Sequence, residues 1–284
     1  MLVTYLEIDS KNKNGNIMIV DNNAKINILL IGSCRITAYL NYFLNDENFG
    51  KKYNYVCILV FLPTMIELSM NIMGNDRMKQ IIRNSGILIR EYIINYNYFN
   101  TVRTQECNIY KIKDSFEYDV LLPNYDVVIY ARDIMMYDED MKTTFNSYIN
   151  NAVSLDSLSE KMQLKHKKEL EKYYNIISKT DVPELKVFVQ NNVYNKRIGC
   201  TLNHPTNALS LEVYRLILKN KFNKEIPASV IDVNSKIEFL NSDAYKSRYT
   251  YYDRTILNIM LDEVMYDKCL SDRYILSNDL FFKP

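Results

Sequence analysis

The chain has no tryptophan and only six glycines and six prolines among its 284 residues. So little glycine and proline excludes a collagen-like or low-complexity chain. Neither sign of charge dominates, with 35 basic side chains against 34 acidic ones. A net charge of +1 gives no whole-protein field for nucleic acid or an acidic membrane, so neither is an expected partner. No run reaches the roughly 18 apolar residues of a membrane span. The longest, Tyr55 to Leu62, fits a buried strand. Met1 to Ser10 lack the basic start and apolar centre of a signal peptide. The five cysteines, Cys34, Cys57, Cys107, Cys200 and Cys269, include no Cys-X-X-Cys pair, so no metal site is expected. Free thiols in a reducing compartment follow. The expected setting is the cytoplasm, that of the host if the source is a large virus.

Tyrosine, asparagine, isoleucine and lysine are over-used, with 24 Tyr in all. This bias fits an AT-rich genome and weakens inference from any single Tyr or Asn. Hydrophobic content of 48% and charged content of 24% are those of a globular chain long enough for a substantial core.

Ile26 to Leu44 is the most informative stretch. Ile26 to Ile31 is apolar and β-branched, as in a buried strand. From Ile36 onward Ile36, Tyr39, Leu40 and Phe43 recur at helical spacing. Gly32-Ser33-Cys34-Arg35 is therefore a strand-to-helix turn. In an open α/β sheet such turns lie at the carboxyl edge, where ligands bind. Helix N–H groups there favour anions and would depress the pKa of Cys34. Equally, Gly32 only makes the turn and Cys34 is a small buried residue.

Around this stretch, Val3 to Ile8 and Ile17 to Val20 are read as an N-terminal hairpin covering a sheet edge. Pro63-Thr64-Met65 opens a short helix. Asp76 to Glu91 splits at Gly86 into a helix and a strand that starts at Ile87 and runs to Ile94. Asp126 to Tyr130 is read as a central strand with Arg132 just past its end. Leu155 to Ile177 is the clearest helix, capped by Ser157 or Ser159, with Lys165 to Lys168, His166 included, on a solvated face. Leu185 to Val189 is read as a strand and Cys200 to Pro205 as a loop. Asn207 to Leu218 is a helix with Leu209, Val213, Leu216 and Ile217 inward, and Tyr249 to Met265 is a last helix. Alternating strands and helices predict a three-layer α/β sandwich with a mainly parallel central sheet. The organisation expected is one α/β domain over 1–284: a hairpin over 1–25, a core over 26–219 with a helical insertion, and a helical extension over 220–284.

Two histidines exist, His166 and His204. Pro205 holds His204 away from helical geometry. Its imidazole is a candidate general base, or else a cap for the following helix. Ser33 and Cys34 early and His204 late make the layout of an acyl-transfer site. Oxyanion donors would come from the helix after Arg35 and from Asn191 or Asn203. Arg35 and Arg132 suit a phosphate or carboxylate. Lys246, Arg248, Tyr249, Tyr251, Tyr252 and Arg254 mix cations with aromatics, which suits a nucleotide or, equally, a core helix.

Gly-Ser-Cys-Arg after a strand, with Asn-His-Pro-Thr-Asn before a late helix, resembles the WcbI-type polysaccharide-biosynthesis acyltransferase family. That family is related in architecture to the SGNH hydrolases. Gly32, Cys34, His204 and Pro205 match its pattern; Ser33 replaces Asn and Arg35 replaces Gln. The resemblance implies an SGNH-like fold, acetyl-CoA as donor, and a sugar or nucleotide-linked sugar as acceptor. It implies catalytic roles for His204, Cys34 and Ser33, and donor contacts from Gly32, Arg35, Arg132 and Asn203. Cys34 or Ser33 would carry the acyl group, or His204 would activate the acceptor for direct attack. The alternatives are an SGNH-like carbohydrate esterase or deacetylase, and a glycan- or nucleotide-binding protein without catalysis.

Overall fold

The computed structural model describes residues 2–5, 17–59, 73–92, 108–125, 127–201, 204–236, 250–261, 272 and 275. The chain forms two compact units. The first comprises Met1–Asn124, Lys179–Pro183 and Ser210–Phe239; the second comprises Tyr125–Ser178, Glu184–Leu209 and Leu240–Pro284.

In the first unit the strands are β1 (Leu2–Tyr5), β2 (Ile17–Asp21), β3 (Asn27–Gly32), β4 (Asn54–Leu59), β5 (Ser85–Glu91) and β6 (Tyr118–Leu122). Among the described residues they make one mixed sheet in the order β1-β2-β4-β3-β5-β6. The expected hairpin is there: β1 pairs antiparallel with β2, which pairs antiparallel with β4. The pairs β4–β3, β3–β5 and β5–β6 are parallel. All six residues of β3 are buried, as its unbroken apolar run requires of a central strand.

The helices of this unit are α1 (Ile36–Asn45), α2 (Asp76–Arg83), most of α7 (Asn207–Phe222) and α8 (Ala228–Lys236). They cover both faces of the sheet. Leu29, Ile31, Val56, Ile58 and Leu88 pack with Met78 and Ile82 of α2 and with Ile109 of a helical turn at 108–112. Alternate residues of the strands point the opposite way. On that side Tyr55 donates its hydroxyl to the Phe43 carbonyl of α1 at 3.3 Å. Phe43 also meets Phe49 and Tyr214 edge-on, at 5.1 and 5.0 Å between ring centres, each pair adding about 1 kcal/mol beyond burial. The Tyr214 hydroxyl donates to the buried carboxylate of Asp46 at 2.8 Å. Gly86 sits inside β5 rather than between two elements, and the helix before it ends at Arg83.

The second unit is helical, with α3 (Ala131–Tyr137), α4 (Glu139–Ile149), α5 (Leu155–Ile177), α6 (Leu185–Asn192), the first turn of α7, and α9 (Tyr251–Thr255). A short antiparallel pair joins β7 (Gly199–Thr201) to β8 (His204–Pro205), where a plain loop was expected. α5 has the expected bounds, but Ser154 caps it, accepting from the Ser157 N–H at 3.2 Å. No helix among the described residues is long and apolar enough to cross a membrane.

Three sequence readings are corrected here. Residues 127–130 form no strand. Val127, Ile129 and Tyr130 are buried, but the Ile129 carbonyl bonds a histidine instead of a neighbouring strand. Leu185 to Val189 lies in a helix: Leu185 and Val189, four apart, are buried while Val187 is 57% exposed, a one-sided pattern with helical period. Only Tyr251–Thr255 of the expected last helix is helical among the described residues, because Asn258 takes a positive φ of 55° soon after it. The expected helix at Pro63-Thr64-Met65 lies outside the described residues, as do Lys246, Arg248 and Tyr249.

Candidate functional site

The parallel register aligns the carboxyl ends of the inner strands. Gly32 lies beside Leu59, Ile31 beside Arg90, and Glu91 beside Leu122. The chain leaves this edge at Gly32 and enters α1 through a tight turn. The Ser33, Cys34 and Arg35 carbonyls accept from the N–H groups of Ile36, Thr37 and Ala38 at 3.0, 3.2 and 3.1 Å. These i to i+3 bonds wind the first turn more tightly than an α-helix. The Thr37 hydroxyl also donates to the Cys34 carbonyl at 2.6 Å.

At the centre of the turn is a residue that the sequence reading missed. Glu91, the last residue of β5, has a side chain only 1% exposed. Its Oε2 accepts from the Ser33 N–H at 3.0 Å and from the Ser33 hydroxyl at 2.9 Å. Its Oε1 lies 3.6 Å from Nε of Arg35, which is itself buried. A buried carboxylate needs such partners, because desolvating it alone is costly. The available signal was an acidic residue closing the apolar run Ile87 to Glu91.

Cys34 is half-buried and a free thiol. Burial pushes its pKa up, Arg35 pulls it down and Glu91 raises it again; the N–H groups of Cys34 and Arg35 lower it. The net direction is upward. This corrects the expected depression: burial outweighs the donors of the helix start. Cys34 is a thiol at neutral pH.

The other sequence-derived candidates belong to the second unit. His204 is half-buried on β8, in register with Thr201, and Pro205 pairs with Gly199. Asn203 lies outside the described residues. Arg132 is buried in the first turn of α3, with Nη1 at 3.8 Å from Asp133 Oδ1. The structure thus brings Gly32, Ser33, Cys34 and Arg35 together with Glu91, and places Arg132 and His204 on separate elements of the second unit.

His166 contradicts its assignment to a solvated face. It is 4% exposed. Its Nδ1 lies 2.7 Å from the Ile129 carbonyl, so Nδ1 carries the proton and donates. Burial lowers its pKa, against the raising effect of that bond. Leu158, Met162, His166, Leu170 and Tyr173 form one buried stripe, so the inward period was present in the sequence. The lysines around it do face outward. Lys165 pairs with Asp138 at 2.6 Å and Glu169 at 3.8 Å, and with Lys161, Lys168 and Asp140 it lines an open groove of about 450 Å³. Among the described residues no three His, Cys, Asp or Glu side chains are grouped as metal ligands.

No protein-family model matches the sequence, and no curated protein matches it. Among solved structures, a likeness extends over 89% of this chain and 88% of the other, with a TM-score of 0.53 and 14% identity. The chain shares the fold of WcbI. That protein is described as a novel polysaccharide biosynthesis enzyme, and its structure as the native form without a disulfide bond between coenzyme A and one of its cysteines. At this identity WcbI informs the fold; the chemistry of this chain rests on its own residues.

Proposed function

We propose that this chain is an acetyltransferase of glycan biosynthesis. It moves an acetyl group from acetyl-CoA to a hydroxyl or amine of a sugar, free or nucleotide-linked, in the cytoplasm. The observation that supports this best is the cysteine turn at the carboxyl edge of the sheet, fixed from below by Glu91, on the fold of a polysaccharide biosynthesis enzyme. The proposal takes 1–284 as one domain of SGNH-like architecture.

In this reading the acceptor oxygen or nitrogen attacks the thioester carbonyl carbon, and the carbon–sulfur bond breaks. The resemblance to the WcbI-type family assigns to His204 the role of the base that takes the acceptor's proton and passes it to the departing thiolate of coenzyme A. The N–H groups at the start of α1 carry the charge that develops on the carbonyl oxygen. The same resemblance assigns donor contacts to Gly32, Arg35, Arg132 and Asn203. Direct attack is favoured over an acyl-enzyme because Cys34 is held as a thiol, and the thiolate is the nucleophilic form. The hydroxyl of Ser33 is already donated to Glu91.

Titration calorimetry with coenzyme A tests the reading. Binding near the micromolar range is the expected result, and no heat up to millimolar ligand would sink it. With labelled acetyl-CoA, the denatured protein should hold no label. Label that disappears in Cys34→Ala would establish an acyl-enzyme instead. Acetate released from a chromogenic ester without coenzyme A would point to an esterase.

A further inference from the structure

The turn contains more than the thiol. Glu91 reaches it from a strand 58 residues away in sequence. It is buried and doubly bonded to Ser33, and its second oxygen faces the Arg35 guanidinium. Among the described residues, Arg35 on its own turn and Glu91 from β5 act on Cys34 with opposite sign. Glu91 also raises the thiol of Cys57 on β4, which burial already pushes far up.

We propose that Glu91 is the positioning residue of this turn: its carboxylate fixes Ser33 through two hydrogen bonds and offsets the charge of Arg35 beside Cys34. Without Glu91, Arg35 and two backbone N–H groups would still be opposed by burial but no longer by this carboxylate. They would draw it toward thiolate, the form that attacks thioesters. With Glu91 in place, burial and the carboxylate together keep the proton on sulfur. The turn then offers its N–H groups and a neutral thiol, and attack on the thioester is left to the acceptor. This last consequence rests on the acetyl-transfer reading; the control of the thiol by Glu91 does not.

The two are therefore tested separately, with no substrate present. The rate of Cys34 alkylation by iodoacetamide is followed against pH in the full chain, with peptide mass spectrometry separating Cys34 from the other four cysteines. In Glu91→Gln the midpoint should fall by about one pH unit. Below it the rate should rise about threefold, since a weaker base is also a weaker nucleophile. Glu91→Asp keeps the charge and should restore the wild-type midpoint. A folded Glu91→Gln with an unchanged midpoint overturns the proposal. Should that variant fail to fold, the carbon-13 resonance of the Glu91 carboxylate in the wild-type chain decides. It is expected to shift as Cys34 titrates, and a flat response across the alkylation midpoint also overturns the proposal.

Discussion

Gly32 and Glu91 compete for one space. A Cβ on Gly32 would lie 2.8 Å from Cδ and 2.9 Å from Cγ of Glu91. No glycine among the described residues has a positive φ. Gly32 is therefore required by the close approach of a side chain, not by the backbone angle of a turn.

Gly32→Ala should lower stability by about 1–3 kcal/mol, the usual range for overpacking a fitted site. The two bonds from Ser33 keep Glu91 from swinging aside. Urea unfolding measures the loss. Gly74 is the control, since nothing lies within 4 Å of a Cβ placed there; Gly74→Ala should change stability by no more than about 0.5 kcal/mol. Equal effects at both positions would refute the steric account.

Gly199 has a similar constraint in the second unit. A Cβ there would fall 1.9 Å from the Tyr125 hydroxyl and 2.7 Å from its ring carbon Cζ. Gly199→Ala should destabilise by about 2–3 kcal/mol. Adding Tyr125→Phe removes the nearest atom and should recover part of the loss. A double-mutant cycle measured by thermal unfolding would show that coupling, and strict additivity would exclude it.

His166 should titrate below its ordinary value of 6.5, because burial disfavours the imidazolium. The folded protein binds that proton less readily than the unfolded chain. The stability linked to His166 is then fully present above pH 6.5 and is lost as pH falls through the lowered folded value. Proton NMR of the imidazole gives the midpoint. His166→Phe should cost about 1–3 kcal/mol by leaving the Ile129 carbonyl unpaired, and it should abolish this part of the acid sensitivity.

Asp253 carries the opposite sign. It is fully buried, and its pKa is raised from 3.8 to about 6, burial outweighing the bonds from Ala131 and Thr250. A carboxyl that holds its proton more tightly when folded contributes stability below pH 3.8, lost as pH rises through about 6. Asp253→Asn should remove that dependence from the pH profile of the denaturation midpoint. It should also destabilise by about 1–3 kcal/mol at neutral pH. Ala131 and Thr250 donate to different oxygens of Asp253, and an amide presents one oxygen only. An unchanged pH profile in Asp253→Asn would show that Asp253 titrates alike in the folded and unfolded chain and would overturn this account.

Local periodicity made much of the architecture legible. The β3–α1 unit, the full length of α5 and the inward face of α7 all follow from apolar spacing, while a helix and then a strand over 76–91 are read from Gly86, which lies inside β5. Spacing failed where burial and strand pairing part company. Asp126 to Tyr130 reads as a strand from its apolar run, yet the Ile129 carbonyl bonds His166 and the Tyr130 carbonyl accepts from the Ile134 N–H of α3. Leu185 to Val189 reads as a strand because it is rich in valine, yet only two of its residues face the interior.

For the site, the sequence by itself determined the cysteine turn: an apolar strand, a residue without a side chain, and a helix that must begin just after it. Tertiary structure alone decided what that turn is electrostatically. Glu91 reaches it through parallel pairing of β3 with β5, and no short-range pattern records which carboxylate a strand register will deliver. The sign of the Cys34 shift is set first by burial, a sum over neighbours distant along the chain, with Arg35 beside it and Glu91 from β5 acting in opposite senses.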